Sequence, residues 1–194
     1  SMGRPSIVGS TIKSVGKLPK HLVADEKHTR LNGEKTFLTT TVANECILGA
    51  AVVPTASAKD LDPSYSPETV CADGWQNTWT AWGRLFETVT IVLCFLHSAI
   101  KIRDCYTSDK PLRFEVLTKI WEAFRAQTKA SFSQRIRRVR EWTKANLPQG
   151  KMREAVIKLC DKREFFAWAY DFVEPCRTSN SVDRLMNHQD RVLY

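Results

Sequence analysis

The stretch Leu22-Val23-Ala24-Asp25-Glu26-Lys27-His28 begins with three apolar residues and then places a carboxylate within what the pattern predicts to be a buried strand. Around it, residues 20–56 are rich in Val, Thr, Ile and Leu, and Asn32-Gly33 and Asn44-Glu45 are turn signals. We therefore predict a meander of three strands. Their predicted ranges are 21–28, 35–43 and 46–54.

Further strands and helices are predicted to follow the meander. Asp60, Asp62, Pro63 and Pro67 break the pattern and predict a connection over 57–67 that has room for a short helical turn. A fourth strand is predicted over Glu68–Ala72 and a fifth over Val89–Phe95. Trp75, Trp79 and Trp82 recur at helical spacing between them, which predicts a helix with a tryptophan-rich core face. Another helix is predicted from His97 to about Tyr106, so the order predicts an α/β fold with a mixed five-stranded sheet flanked by helices.

From Pro111 onward the apolar residues recur at intervals of three and four, which predicts amphipathic helices broken at Leu147-Pro148-Gln149-Gly150. Asn180 is a good N-cap for a last helix that carries Asp183 in its first turn. We predict a single catalytic domain, with a first core part over 4–110, an all-helical insertion over 111–173 and a C-terminal core helix over 174–194.

The composition favours a polyanionic partner. Lys and Arg outnumber Asp and Glu by 29 to 21 in 194 residues, which gives a net charge of +8 and suits the neutralisation of phosphates. The six cysteines contain no close CxxC pair and are expected to be reduced thiols, as in the cytoplasm or nucleus. No apolar run approaches the roughly 20 residues that a membrane span requires, so no membrane partner is expected.

Two acids are candidate metal ligands. Asp25 lies in the first predicted strand, and Asp73 ends the fourth, where sites in open α/β sheets collect. If these two strands are neighbours, both carboxylates could share divalent cations suited to phosphoryl transfer. Each acid considered alone is equally compatible with a structural role, because Asp before Gly often forms a turn and buried Asp often accepts bonds from backbone amides.

Four segments together resemble a DDE-type transposase of the insertion-sequence class. They are Leu22-Val23-Ala24-Asp25-Glu26-Lys27-His28, Cys71-Ala72-Asp73-Gly74-Trp75, Cys94-Phe95-Leu96-His97 with Lys101-Ile102-Arg103-Asp104-Cys105, and Arg177-Thr178-Ser179-Asn180-Ser181-Val182-Asp183-Arg184-Leu185. The resemblance covers the chain from about Pro19 to its end. It implies an RNase H-like fold, two Mg²⁺ or Mn²⁺ ions, and catalytic metal ligands on the first strand, just after the fourth strand and on a helix beyond a helical insertion.

The resemblance assigns the third acid to Asp183, with 183 − 73 = 110 positions between the last two acids. The family usually has Glu there, so a shorter Asp requires a closer approach of the helix. Two alternatives stay open. In the first, Asp183 has no catalytic role and serves to complete a capping box with Asn180, worth about 1 kcal/mol. In the second, Glu174, the nearest competitor, takes the third position.

Cys94 and His97 resemble the Cys-x-x-His motif of transposase superfamilies with helical insertions. We expect Cys94 to be buried and His97 to lie near the active site, where it supports an acid or a phosphate. The alternatives are a zinc half-site and a pair of core residues.

A basic cluster on a predicted helix is the candidate DNA-binding surface. It could equally be a solvated face or a track for DNA phosphates. The candidates are Arg135, Arg137, Arg138, Arg140 and Lys144, together with Arg177 and Arg184.

The expected function is that of a DNA transposase catalytic core, which hydrolyses phosphodiester bonds at transposon ends and transfers the ends to target DNA. Double-stranded DNA and a homodimer or larger assembly on paired ends are the expected partners. A nucleoid-associated cytoplasmic location is expected in a prokaryote, and a nuclear one in a eukaryote. One rival is an RNase H-like nuclease or resolvase without strand transfer, and another is a non-catalytic DNA-binding protein derived from a transposase.

Overall fold

A computed structural model of the chain describes residues 19–31, 34–43, 46–53, 66–74, 76–105 and 109–180. Its strands are β1 His21–Leu31, β2 Glu34–Ala43, β3 Cys46–Val53, β4 Thr69–Ala72 and β5 Thr90–Leu93. Its helices are α1 Gln76–Leu85, α2 Phe95–Arg103, α3 Lys110–Phe124, α4 Lys129–Asn146, α5 Lys151–Asp161 and α6 Arg163–Ala167, and a 3₁₀ turn follows over Trp168–Asp171. The predicted α/β class is confirmed.

The strands form one mixed sheet in the order β3-β2-β1-β4-β5. The meander β1-β2-β3 is antiparallel, as predicted, and a register shift at Thr41/Val42 interrupts the β2-β3 ladder. β4 pairs with β1 in parallel, and β5 pairs with β4 in parallel. β1 therefore lies at the centre of the sheet, where both of its edges are paired.

One face of the sheet packs against α1. Trp82 and Phe86 stack with ring centroids 5.8 Å apart and belong to the same core as Leu22 and Val70. Successive residues of a strand point to opposite faces, so Val23 lies on the other face from Leu22, and it is buried as well. The predicted core role of Trp82 is confirmed, whereas Trp75 lies outside the described residues.

The described residues fall into two compact units. The sheet unit contains the described residues up to Leu93 together with Thr178–Asn180, and the helical unit contains the described residues of Cys94–Arg177. α2 belongs to the helical unit, in which it contacts α3 and α5. The division falls between β5 and α2.

Phe95 is the centre of the helical unit's core. Its ring centroid lies 4.8 Å from that of Phe124, 5.2 Å from that of Phe166 and 5.7 Å from that of Trp121. The fifth strand was predicted to run to Phe95, but it ends at Leu93. The physical reason is tertiary packing, since Phe95 is buried among the aromatic side chains of the helices and begins α2.

Local signals delimit the helices of this unit. The Asp109 carboxylate accepts a hydrogen bond from the Leu112 amide at 2.8 Å, and the Thr128 hydroxyl accepts one from the Ser131 amide at 3.1 Å. Both are N-caps that satisfy otherwise unpaired amides. Gly150 precedes α5 with φ 147° and ψ 179°, a conformation that is nearly restricted to glycine. The break predicted at 147–150 is therefore confirmed.

Candidate active site

The paired strands β1 and β4 hold the first two candidate acids. Val23 is opposite Cys71 in this parallel ladder. Continuing the register by two residues brings Asp25 to the level of Asp73, which directly follows the end of β4. Asp25 lies on the same face of β1 as Val23, and paired strands are about 4.8 Å apart. The structure thus meets the condition on which a shared site depended, namely that the first and fourth strands are neighbours.

Neighbouring elements hold the backbone of both acids in place. Asp25 lies in the central strand and is 9% exposed. Asp73 is half-buried, and the indole Nε1 of Trp79 donates a hydrogen bond to its backbone carbonyl at 2.7 Å. Trp79 comes from α1, which packs on the opposite face of the sheet through Trp82. The first turn of α1 therefore fixes the main chain that carries the second acid.

Thr40, which the sequence analysis did not select, lies directly across the β1-β2 ladder from Asp25. Opposed residues of a ladder project from the same face of the sheet. Thr40 is 1% exposed, and within the part of the chain that the structure describes its hydroxyl has no hydrogen-bond partner. No signal in the sequence distinguishes Thr40, because residues 39–41 are all threonine. Only the strand pairing shows which of them is opposite Asp25.

The third acid is not on the described part of the chain. Asp183 lies outside the described residues, and so does Arg184. Asn180 is already helical, one residue earlier than its predicted role as N-cap implies. Within the described residues, no three His, Cys, Asp or Glu side chains are grouped as metal ligands, so the proposed three-acid set is represented there by Asp25 and Asp73 alone.

The competitor Glu174 belongs to the helical unit. Its side chain is exposed, and its φ of 52° lies in the left-handed region. Such a conformation costs a non-glycine residue about 1–2 kcal/mol. No helix holds the residue, because it follows the 3₁₀ turn at Trp168–Asp171.

The Cys-x-x-His residues begin α2. Cys94 is buried, as expected, and is the N-cap residue of α2 rather than a strand residue. His97 lies in the first turn of this helix and is half-buried. Cys94 and His97 belong to the helical unit, whereas Asp25 and Asp73 belong to the sheet unit. The expected place of His97 near the acids remains a prediction.

Three of the candidate DNA-binding arginines of α4 are bonded within the helical unit. Arg135 donates to the Glu122 carbonyl at 2.7 Å, Arg137 lies 3.7 Å from the Glu141 carboxylate, and Arg140 lies 2.9 Å from the Asp161 carboxylate. Arg138 and Lys144 are exposed and make no hydrogen bond or ion pair with any described residue. These two cations are the members of the cluster most available to an external phosphate.

Arg177 is bonded within the helical unit. Its Nη2 donates to the Phe124 carbonyl at 2.8 Å and to the Tyr170 hydroxyl. The guanidinium lies 4.3 Å from the Phe124 ring centroid and 4.4 Å from that of Tyr170. Burial lowers the pKa of Arg177 and raises that of Tyr170. This arrangement favours a structural role for Arg177 over the predicted contact with DNA.

No family model matches the chain, and no curated protein matches it significantly. Among the described helices, none combines the length and the apolar composition needed to cross a membrane.

Proposed function

We propose that this chain is the catalytic core of a DDE-type DNA transposase with an RNase H-like fold. The observation that supports the proposal is the parallel pairing of β1 with β4, in which the last pair, Val23 opposite Cys71, lies two residues before Asp25 on one strand and two residues before Asp73 on the other. The resemblance supplies Asp183 as the third acid. The net charge of +8 supports a nucleic-acid partner.

The residues present fit a hard divalent cation. Carboxylate oxygens are the ligands that Mg²⁺ and Mn²⁺ prefer. Asp25, Asp73 and Asp183 would hold the two ions. When bound, such ions activate the attacking oxygen and stabilise the leaving oxygen of a phosphodiester.

The protein's own residues contribute by positioning the two acids. The ladder with β2 fixes Asp25, the ladder of β1 with β4 ends two residues before it, and the Trp79 indole fixes the carbonyl of Asp73. A site held in this way loses little entropy when substrate binds. The resemblance implies two reactions at this site. Water first cleaves the strand and leaves a 3′-hydroxyl, and that hydroxyl then attacks target DNA.

The first test is Mn²⁺ binding measured by calorimetry on the full 194-residue chain. Asp25→Asn, Asp73→Asn and Asp183→Asn should each weaken binding sharply, whereas Glu174→Gln should bind like the wild type. Unchanged binding in Asp183→Asn together with a loss in Glu174→Gln would move the third acid to Glu174. A wild type that binds no Mn²⁺, with or without DNA, would contradict a metal-dependent transposase and favour a non-catalytic DNA-binding protein.

A second test separates transposition from simple hydrolysis. Nicking of supercoiled plasmid in Mn²⁺ that is lost in Asp25→Asn would establish phosphodiester cleavage. Joining of a 3′-hydroxyl oligonucleotide to that plasmid would establish strand transfer. Nicking without any joining would favour the nuclease or resolvase alternative.

A third test addresses the DNA track on α4. Removing one phosphate contact lowers the slope of log K against log salt by about 0.9 for duplex DNA. Arg138→Ala and Lys144→Ala should each reduce the slope by about that amount. Arg125→Ala, which removes an exposed cation at the end of α3, is the matched control. Equal slopes in all variants would assign Arg138 and Lys144 to a solvated face.

A further inference from the structure

The structure contains a buried hydroxyl beside the first acid. Thr40 of β2 is directly opposite Asp25 of β1, and side chains in such a pair have Cβ atoms about 4.5–5.5 Å apart. Thr40 is 1% exposed, and its Oγ1 is buried without a hydrogen-bond partner among the described residues. On the other side of Thr40, the opposed residue of β3 is Ala50.

An unpaired buried hydroxyl is unfavourable for the fold alone. A valine has the same branched shape, is at least as well suited to a strand and leaves no polar group unsatisfied. Buried hydroxyls without partners are uncommon in folded proteins, and one beside a candidate site calls for an explanation. The acceptor that stands directly opposite this hydroxyl is the Asp25 carboxylate.

We propose that Thr40 is a positioning residue for Asp25. Rotation of its hydroxyl side chain lets Oγ1 donate a hydrogen bond to one carboxylate oxygen of Asp25, while the other oxygen faces the cation. Carboxylates that bind metal ions are generally oriented by such outer hydrogen bonds. This inference rests on the proposed function, because it requires Asp25 to be a metal ligand.

The test compares Thr40→Val with Thr40→Ser on the full chain. Mn²⁺ affinity is measured by calorimetry, and thermal unfolding is measured in EDTA. Thr40→Val should weaken Mn²⁺ binding about tenfold, while its melting temperature in EDTA equals or exceeds that of the wild type. Thr40→Ser keeps the hydroxyl and should restore affinity close to the wild-type value.

Thr41→Val is the matched control. Thr41 is the next residue of β2 and is opposite Ala24, so it projects from the other face and should not affect Mn²⁺ affinity. If Thr40→Val does not fold, Thr40→Ala takes its place in the same comparison.

Two results would overturn the inference while leaving the proposed function intact. One is a Thr40→Val protein that binds Mn²⁺ as tightly as the wild type while Asp25→Asn does not. The other is a Thr40→Ser protein as weak as Thr40→Val, which would assign the effect to packing. A wild type that binds no Mn²⁺ would overturn both the proposed function and the role of Thr40.

Discussion

Arg177→Lys should destabilise the helical unit although it keeps the charge. The planar guanidinium donates to the Phe124 carbonyl and the Tyr170 hydroxyl, and it stacks on both rings. A lysine ammonium has no planar face to stack and no fork that reaches both acceptors. The Tyr170 hydroxyl in turn donates to the Ala126 carbonyl at 3.0 Å, so the substitution also disturbs the partner of a second bond.

The size of the effect follows from the lost contacts. One hydrogen bond from a charged donor contributes about 1.5–3 kcal/mol, and each weakly exposed cation–π contact about 0.5–1 kcal/mol. The guanidinium is only half-buried, so water replaces part of what is lost. We therefore expect Arg177→Lys to reduce the free energy of unfolding by about 2 kcal/mol.

Urea unfolding followed by tryptophan fluorescence measures this change. Arg138→Lys is the matched control, because Arg138 is exposed on α4 without a described partner, and it should stay within about 0.5 kcal/mol of the wild type. The reasoning is refuted if Arg177→Lys is as stable as Arg138→Lys. Unchanged stability combined with a loss of DNA affinity would return Arg177 to the DNA-binding surface.

Three further predictions concern the helical unit. Gly150→Ala should lower the unfolding free energy in urea by about 1–3 kcal/mol, because φ 147° strains any side chain although no atom lies within 4 Å of the added Cβ. Thr143→Val should raise it by about 1 kcal/mol, since the buried Thr143 hydroxyl has no hydrogen-bond partner on the described part of the chain. Burial raises the pKa of Cys160 from 9.0 to about 12, so the unfolded chain releases this proton before the folded one does. The protonated Cys160 thiol therefore contributes stability that is complete below pH 9 and is lost as the pH rises toward 12, by about 1.4 kcal/mol per pH unit. The decrease in the unfolding free energy between about pH 8 and pH 10 should consequently be smaller in Cys160→Ala than in the wild type.

The sheet was predictable because its signals are local. Turn residues at Asn32-Gly33 and Asn44-Glu45 separate apolar runs, and the predicted meander ranges lie within three residues of the strands at either end. The end of β5 was not predictable from the same signals. Phe95 continues the apolar run of the strand, and only its aromatic neighbours in the helical unit, far away in sequence, turn it into the start of a helix.

The basic cluster shows a different limit of sequence reasoning. A count of charges treats its arginines as equivalent, but their surroundings differ. Arg135 has a carbonyl acceptor and Arg140 has a carboxylate, whereas Arg138 has neither among the described residues. Partners such as Glu122 and Asp161 come from neighbouring helices, so the pattern within α4 contains no information about them.

The candidate site contains residues that the sequence identifies and one residue that it does not. Asp25 and Asp73 could be selected individually, because each is a carboxylate at the end of an apolar run. That they follow paired strands could not be read from the sequence, because the paired residues of β1 and β4 are more than forty positions apart. Thr40 could not be selected at all, because its neighbours Thr39 and Thr41 have the same side chain. The ladder singles it out, since only Thr40 is opposite Asp25. If Thr40 orients Asp25, the residue that prepares the site is one that sequence composition could not distinguish from its neighbours.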